Sequence, residues 1–204
     1  SEELFAWSSQ LRASSEMIDI ITNKFLILPQ GGTAVGSGIN AHKQFSRYFS
    51  QEITKLYPGK YKFIPSKNFY HELSSQDCSV QLSGELKNLA IILMKISNDL
   101  RWMNSGPLTG LSEIELKALQ PGSSIMPGKV NPVIPEAVAM ASVDVIGNDA
   151  SISIAAQSGS FQLNVMLPVI AYNLLKSINL MAGSMSALSQ KAIKSFKVNA
   201  KHLE

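Results

Sequence analysis

The sequence predicts an all-α protein, a bundle of long helices. Apolar residues recur at steps of three and four over several long segments, as one face of an α-helix requires. Short stretches rich in Gly and Pro separate these segments. No part of the sequence shows the sustained apolar-polar alternation that is typical of a half-buried strand. A chain of 204 residues, 45% hydrophobic and 16% charged, can bury a sizeable core, so one large domain is the simplest expectation.

Two helices are predicted in the first third of the chain. The first runs from Leu4 to Leu28 and is stopped by Pro29. The second begins near Ala41 and ends at the Tyr-Pro-Gly turn of residues 57–59. The loop between them, residues 31–38, holds four glycines but lacks the Gly-Lys-Ser/Thr ending of a phosphate-binding loop. Its glycines therefore predict close packing of the loop against a helix.

Three longer helices follow, predicted from Gln76 to Met103, from Pro135 to Ala156 and from Val165 to Leu188. The segments 139–156 and 163–181 carry few charges, and their apolar residues are spread over more than one helix face. A helix that is apolar all round must be buried on all sides, which one chain of this size cannot provide for several helices. We therefore expect the chain to associate with other copies.

Composition argues against several classes of function. A net charge of +3, with Lys and Arg spread along the chain, gives no indication of nucleic acid or an anionic membrane as partner. No apolar run approaches the ~20 residues that span a bilayer. The single cysteine, Cys78, cannot form an internal disulfide, so it is expected to be a small semi-buried residue of a cytoplasmic protein. The chain begins at Ser1 without Met, which suggests a piece of a longer protein.

The most informative segment is residues 122–132, Gly-Ser-Ser-Ile-Met-Pro-Gly-Lys-Val-Asn-Pro. Its two glycines and two prolines oppose helix and strand, so we expect a loop, and loops of this kind usually carry function. The Ser hydroxyls and the Asn amide can donate hydrogen bonds, and Lys129 supplies a positive charge. The segment could therefore hold a small dianion, and a rigid surface turn is the alternative.

The same segment resembles the signature loop of the fumarase/aspartase superfamily, whose pattern Gly-Ser-Ser-x-Met-Pro-x-Lys-x-Asn-Pro matches at every fixed position. The resemblance extends to residues 31–36, 83–101, 105–107, 147–149 and 163–165, and covers the chain from about Leu4 to its end. It implies that residues 1–204 are the central helical-bundle domain of this superfamily, which assembles into a homotetramer around a shared multi-helix core. The N-terminal domain and the small C-terminal domain of the superfamily are expected to be absent.

The resemblance also implies a reaction and its residues. Members add or remove a small group across the double bond of fumarate, a small dicarboxylate, by taking a proton from the carbon next to a carboxylate. Ser123 is the implied catalytic base. The dianionic intermediate needs fixed donors and cations, and the implied substrate-binding residues are Ser124, Lys129, Val130 and Asn131. Glu136, alone an ordinary first-turn acid, is the second implied catalytic residue, because the matching Glu of relatives pairs with a catalytic histidine from a motif that would precede this chain.

No metal or cofactor is expected, because no His, Cys or Asp cluster has metal-ligand spacing. His42, His71 and His202 match none of the superfamily's functional positions and are expected to lie at the surface. Relatives build each active site from three regions on three subunits. This chain carries one such region, so it is expected to be inactive alone.

Within the superfamily, residues 31–36, 83–87 and 160–165 are most similar to the class II fumarate hydratases, which interconvert fumarate and L-malate in the citric acid cycle. An aspartate ammonia-lyase is the alternative, because Pro135-Glu136 after Asn-Pro is frequent in that group. Gln162 and Leu108 stand where the hydratases generally have Glu and Arg. A third interpretation is a non-catalytic helical oligomerisation module that has kept the loop.

Overall fold

Helices dominate the computed structural model of the protein, which describes residues 2–106, 108–126 and 128–202. The α-helices in this part are α1 (Glu2–Thr22), α2 (Phe45–Lys55), α3 (Phe69–Ser74), α4 (Asp77–Met103), α5 (Val133–Ala156) and α6 (Leu167–Ala187). They are accompanied by two 3-10 helices (Asn23–Leu26 and Ala200–His202) and a π-helix (Leu188–Ile193). The strands are β1 (Ile27–Leu28), β2 (Ile64–Pro65), β3 (Ile114–Glu115) and β4 (Lys197–Val198). The all-α prediction is confirmed.

The helix boundaries agree best with the prediction where apolar residues recur over many turns. The bounds of α4, α5 and α6 match within two residues at each end. The first helix changes to a 3-10 helix at Asn23, well before Pro29, and α2 begins at Phe45, after the predicted start. The short α3 was not predicted, although Asn68 caps it by accepting a hydrogen bond from the His71 N–H at 3.2 Å.

The strands form two small ladders. β1 pairs with β2 in parallel, with Ile27 opposite Ile64 and Leu28 opposite Pro65. β3 pairs with β4 antiparallel, with Ile114 opposite Val198. Each strand is two residues long, too short to show the alternation by which a strand is predicted from sequence.

The chain divides into two compact units. The first unit comprises residues 1–12, 86–147 and 176–204, and the second comprises residues 13–85 and 148–175. α1, α4, α5 and α6 each contribute residues to both units. The prediction that residues 1–204 form one helical-bundle domain stays a prediction.

The first unit has an apolar core of helix side chains, and ion pairs at its surface join neighbouring helices. Its most buried apolar residues include Trp7, Leu89, Leu93, Ile96, Leu100, Val138, Val145 and Met181. Lys95 Nζ lies 2.7 Å from Glu3 Oε1, which joins α4 to α1, and Lys176 Nζ lies 2.8 Å from Asp144 Oδ2, which joins α6 to α5. Asn199 donates from its main chain to the Glu113 carbonyl at 2.9 Å, which extends the β3–β4 ladder.

The second unit combines an apolar core with buried polar pairs. The apolar part includes Ile21, Leu82, Ile152, Ala155, Ile170 and Leu174. The Ser83 hydroxyl donates to Asp149 Oδ1 at 2.7 Å, with both residues buried, and the Ser14 hydroxyl donates to Glu85 Oε1 at 2.6 Å. Buried polar groups are stable when they are hydrogen-bonded in this way.

The glycine loop of residues 31–38 packs directly on α3. A Cβ on Gly32 would lie 2.8 Å from Phe69 Cβ, and one on Gly36 would lie 2.7 Å from the main-chain nitrogen of Tyr70. Gly36 also has φ +93°, a conformation that side chains rarely adopt. The prediction of close packing between this loop and a helix is confirmed.

Two long helices expose apolar side chains. These are Met140, Val143 and Ile154 on α5, and Val169, Tyr172 and Leu175 on α6. In the described part of the chain, α5 is also the one helix long and apolar enough to cross a membrane by length and composition alone, a test that core helices of soluble proteins also pass. The prediction that these helices are apolar on more than one face is confirmed.

Candidate active site

The signature segment is a loop whose two ends are held together. Its residues from 122 to 132, apart from Pro127, which lies outside the described residues, form neither helix nor strand. The Asn131 side-chain amide donates to the Gly122 carbonyl at 3.2 Å. A Cβ on Gly122 would lie 2.6 Å from the carbonyl carbon of Lys129, so only glycine allows this approach. Another matched motif, Ser105-Gly106-Pro107, is likewise described except for its proline.

Ser123 lies half-buried near one end of this loop. Its Oγ accepts a hydrogen bond from the main-chain N–H of Ile125 at 3.2 Å. A serine hydroxyl that accepts a hydrogen bond from the main-chain N–H two residues further on is a common way to form a turn, with or without a catalytic role. The same N–H also points at the oxygen on which negative charge would develop if the hydroxyl lost its proton.

An open cleft of about 840 Å³ in the first unit brings together most of the predicted site residues. Those that line it are Lys129, Val130, Asn131 and Glu136. Glu136 is half-buried in the first turn of α5, where its main-chain N–H donates to the Pro132 carbonyl at 3.1 Å. The helix start therefore places Glu136 directly after the loop that carries Lys129 and Asn131.

The two serines lie apart from this cleft. Ser123 lines a second, smaller cleft of about 560 Å³, which it shares with Lys129 and Val130. Lys129 and Val130 line both clefts, so they lie between Ser123 and Glu136. Ser124 is exposed and lines neither of the two.

Other polar residues in the larger cleft were not predicted from the sequence. Arg101 and Asn98, both in the last two turns of α4, line it together, and Arg101 Nη1 donates to Asn98 Oδ1 at 3.1 Å. Asn199 lines it from the far end of the chain. Among the described residues, neither Arg101 nor Lys129 has a carboxylate within 4.0 Å. The cleft therefore offers two cations that are available to an anion.

The histidines lie outside both clefts where they are described. His42 is exposed, and His71 is exposed between two carboxylates, 2.9 Å from Asp77 Oδ2 and 3.2 Å from Glu72 Oε1. The hydrogen bond to Asp77 is the main reason that the pKa of His71 is raised, and the same bond lowers the pKa of Asp77. The side chain of His202 lies outside the described residues. Within the described part of the chain, no group of three His, Cys, Asp or Glu residues could hold a metal ion.

A helical fold, with this loop followed by an apolar helix that carries Glu136 in its first turn, agrees with the class of protein that the comparisons show: the chain belongs to the family described as Lyase, which matches residues 1–147. It is 58% identical over 199 residues to fumarate hydratase class II 2 of Pseudomonas aeruginosa, a match that covers 98% of this chain and 43% of that protein. It is 50% identical over 198 residues to the class II fumarate hydratase of Xylella fastidiosa, covering 97% and 41%. The sequence-based resemblance to class II fumarate hydratases is confirmed.

Solved structures agree with the sequence matches. The class II fumarase of Schistosoma mansoni superposes with a TM-score of 0.95 at 36% identity, over 98% of this chain and 45% of that one. A fumarate lyase:delta crystallin from Brucella melitensis superposes with a TM-score of 0.93 at 38% identity, over 98% and 43%. The chain thus spans less than half the length of the relatives that it matches.

Proposed function

We propose that the full-length protein containing this chain catalyses the reversible hydration of fumarate to L-malate, as a class II fumarate hydratase. The observation that carries the proposal is the 58% identity to the Pseudomonas aeruginosa hydratase over 98% of this chain. Ser123, Lys129, Asn131 and Glu136 are all present for the reaction. The reaction as proposed uses no metal or cofactor and takes place in the cytoplasm.

Ser123 is the proposed base in the dehydration direction. Its alkoxide takes a proton from the malate carbon next to one carboxylate, and the electron pair left behind moves into that carboxylate. The bond from the neighbouring carbon to the hydroxyl group then breaks, the leaving hydroxyl takes a proton from the histidine that another subunit is proposed to supply and departs as water, and the double bond of fumarate forms. The Ile125 N–H, 3.2 Å from Ser123 Oγ, supports this role because it stabilises the alkoxide.

The cation and the amides of the loop are proposed to hold the charged carboxylate. Among the described residues, Lys129 Nζ has no ion-pair partner, so its charge is available to the substrate. Asn131 uses one N–H to close the loop and keeps a second for a ligand. Ser124 offers an exposed hydroxyl, and Val130, between Lys129 and Asn131, offers its main-chain N–H.

The active site is proposed to be shared between subunits of a homotetramer. Glu136 would then orient a histidine from another subunit, and this chain alone would carry one region of the site and have no turnover. The apolar side chains exposed on α5 and α6 support an interface there. Replacing Tyr172 and Leu175 together by Glu is expected to dissociate the tetramer and abolish activity, as measured by light scattering and a fumarate assay. Ser158→Glu, a charge added at an exposed turn, is the matched control, and a tetramer that survives the double substitution would contradict the proposal.

The reaction itself is tested by proton NMR with the full-length protein, fumarate and an ammonium-containing buffer, so that water and ammonia compete. Malate is the expected product. Aspartate would assign the protein to the ammonia-lyases instead, while leaving Ser123 as the base. No product from a folded tetramer would leave the non-catalytic helical module as the remaining interpretation.

A further inference from the structure

The small net charge of the chain hides an uneven distribution. Residues 20–71 contain seven Lys or Arg and one acidic residue, Glu52, whereas the remaining residues contain eleven basic and fourteen acidic ones. The cations are spread along the chain as predicted, but acidic residues are scarce in this segment, which therefore carries +6 in a chain of +3. A segment of one sign marks a surface that attracts a partner of the opposite sign.

The cations of this segment lie at the surface of the second unit, around α2. We call Lys43, Arg47, Lys55, Lys60 and Lys62 the basic surface; all five are exposed. Arg47 and Lys55 are two helical turns apart and therefore share one face of α2. The chain after α2 turns back on the helix, because the Phe63 N–H donates to Thr54 Oγ1 at 3.0 Å, and this brings Lys60 and Lys62 to the helix end.

Most of these charges are not neutralised by the residues that the structure describes. Lys55 Nζ lies 2.6 Å from Glu52 Oε1. No other member of the basic surface has a carboxylate within 4.0 Å among the described residues. Lys60 lies 5.0 Å from the centre of the Tyr61 ring, which leaves its charge free to pair with an anion.

Apolar side chains are exposed between the cations. Phe45 is 46% exposed, Tyr48 53%, Leu56 70% and Tyr57 47%. Aromatic residues and Arg are the types enriched in protein–protein interfaces. Exposing an apolar side chain such as that of Leu56 to water costs free energy, so these four side chains favour a surface that a partner covers.

The packing of the rings favours a protein partner over nucleic acid or a membrane. Phe45 stacks on Phe49 at 5.9 Å between ring centres, and Tyr57 packs at 5.9 Å against Phe63, so these rings are already engaged on part of their surface. Single-stranded bases stack on free ring faces, of which the packed rings of Phe45 and Tyr57 offer fewer, whereas the apolar side chains of a peptide can pack against the exposed parts of these rings. The apolar side of α2, with Phe49 and Ile53, is half-buried in its own unit and cannot insert into a membrane.

We propose that the basic surface binds an acidic segment of another protein in which Asp or Glu alternates with aromatic or aliphatic residues. The carboxylates pair with Arg47, Lys60 and Lys62, and the apolar side chains pack against Tyr48 and Leu56. No member of the basic surface lines the two clefts of the first unit, so the proposed binding does not use the residues of the candidate site described above.

The test is fluorescence anisotropy of the full-length protein with a labelled peptide that repeats Asp-Glu-Phe. Binding is expected at low ionic strength and is expected to weaken as salt is added. The triple variant Arg47→Gln, Lys60→Gln, Lys62→Gln is expected to bind about tenfold more weakly, because three surface charge pairs are lost. Leu56→Ala, which removes no charge, is expected to weaken binding about threefold, because apolar contact is lost.

The matched control removes the same number of exposed charges elsewhere, through Lys117→Gln, Lys191→Gln and Lys201→Gln. It is expected to leave affinity unchanged within about twofold. An equal loss in both triple variants would overturn the proposal, since net charge alone would then explain binding. Tighter binding of single-stranded oligothymidylate or of vesicles with anionic lipid would also overturn it, as would the absence of peptide binding.

Discussion

Gly122→Ala in the full-length protein tests whether the contact between the two ends of the signature loop positions the active-site residues. The added methyl group would lie 2.6 Å from the carbonyl carbon of Lys129 and closer still to its oxygen, whereas real Cβ atoms essentially never come within 3.0 Å of a neighbour. The obstacle is main chain, which cannot rotate out of the way. The two ends of the loop must therefore separate.

The size of the effect follows from the distances. The bond from Asn131 Nδ2 to the Gly122 carbonyl is 3.2 Å long, so a separation on the order of 1 Å breaks it and displaces Lys129 by a similar distance. A misplacement of about 1 Å in an active site can cost roughly 100-fold in rate, or about 2.7 kcal/mol of transition-state stabilisation. The melting temperature is expected to change little, because the loop lies outside the apolar cores.

The assay is kcat/KM for fumarate hydration, followed by fumarate absorbance, together with thermal unfolding. Gly128→Ala is the matched control in the same loop: Gly128 has φ +83°, but nothing lies within 4 Å of its added Cβ. Its cost is backbone strain of about 1–2 kcal/mol without a clash, so activity is expected to fall less than in Gly122→Ala. Activity of Gly122→Ala within about threefold of the parent, or an equal loss in Gly128→Ala, would refute the reasoning.

Three further outcomes are expected. Ser123→Ala should lower kcat by about 10²–10⁴-fold while the tetramer persists by light scattering, and unchanged turnover would remove the base role. Asp77→Asn should lower the pKa of His71 in an NMR titration, because the bond to Asp77 is the main cause of its increase. His71, whose pKa is raised, stabilises the folded protein below its unfolded pKa, and this contribution is lost as the pH rises through the folded pKa. Asp77, whose pKa is lowered, stabilises the folded protein above its unfolded pKa, and this contribution is lost as the pH falls through the folded pKa. The pair therefore contributes most to stability between about pH 4 and 6.5. Ser83→Ala should lower the free energy of unfolding by about 1–2 kcal/mol in urea titrations, because buried Asp149 loses a hydrogen bond of 2.7 Å; an unchanged value would show that the bond contributes nothing.

The long helices could be predicted because each repeats its apolar pattern over many turns. A pattern of this length identifies the element even though single residues at its ends are ambiguous. The end of α1 shows the limit: helical spacing continues to Leu28, but the chain leaves the α-helix after Thr22 and pairs Ile27 with Ile64 in a parallel ladder. That pairing depends on a residue far along the chain, so no local pattern predicts it.

The candidate site likewise contains residues that a local sequence pattern predicts and residues that only the fold brings to it. Residues 122–132 could be found because their types are unusual and adjacent, and Glu136 follows within one helical turn of the loop. Arg101 had a weak signal, a basic residue in the last turn before the break at residues 105–107. Asn199 had none, because only the pairing of β3 with β4 brings it to the cleft.

Because of the contact between the glycine loop and α3, substitutions are tolerated in α3 but not at the glycines that pack on it. At Gly32 and Gly36 any side chain meets Phe69 Cβ or the Tyr70 main chain, atoms present in nearly every residue, so a change in α3 cannot create room for it. On the other side of the contact, the aromatic rings of Phe69 and Tyr70 can be replaced without disturbing what the glycines touch. A saturation library of residues 31–38 and 69–74 should therefore keep glycine at positions 32 and 36 even in variants whose α3 has been extensively rewritten.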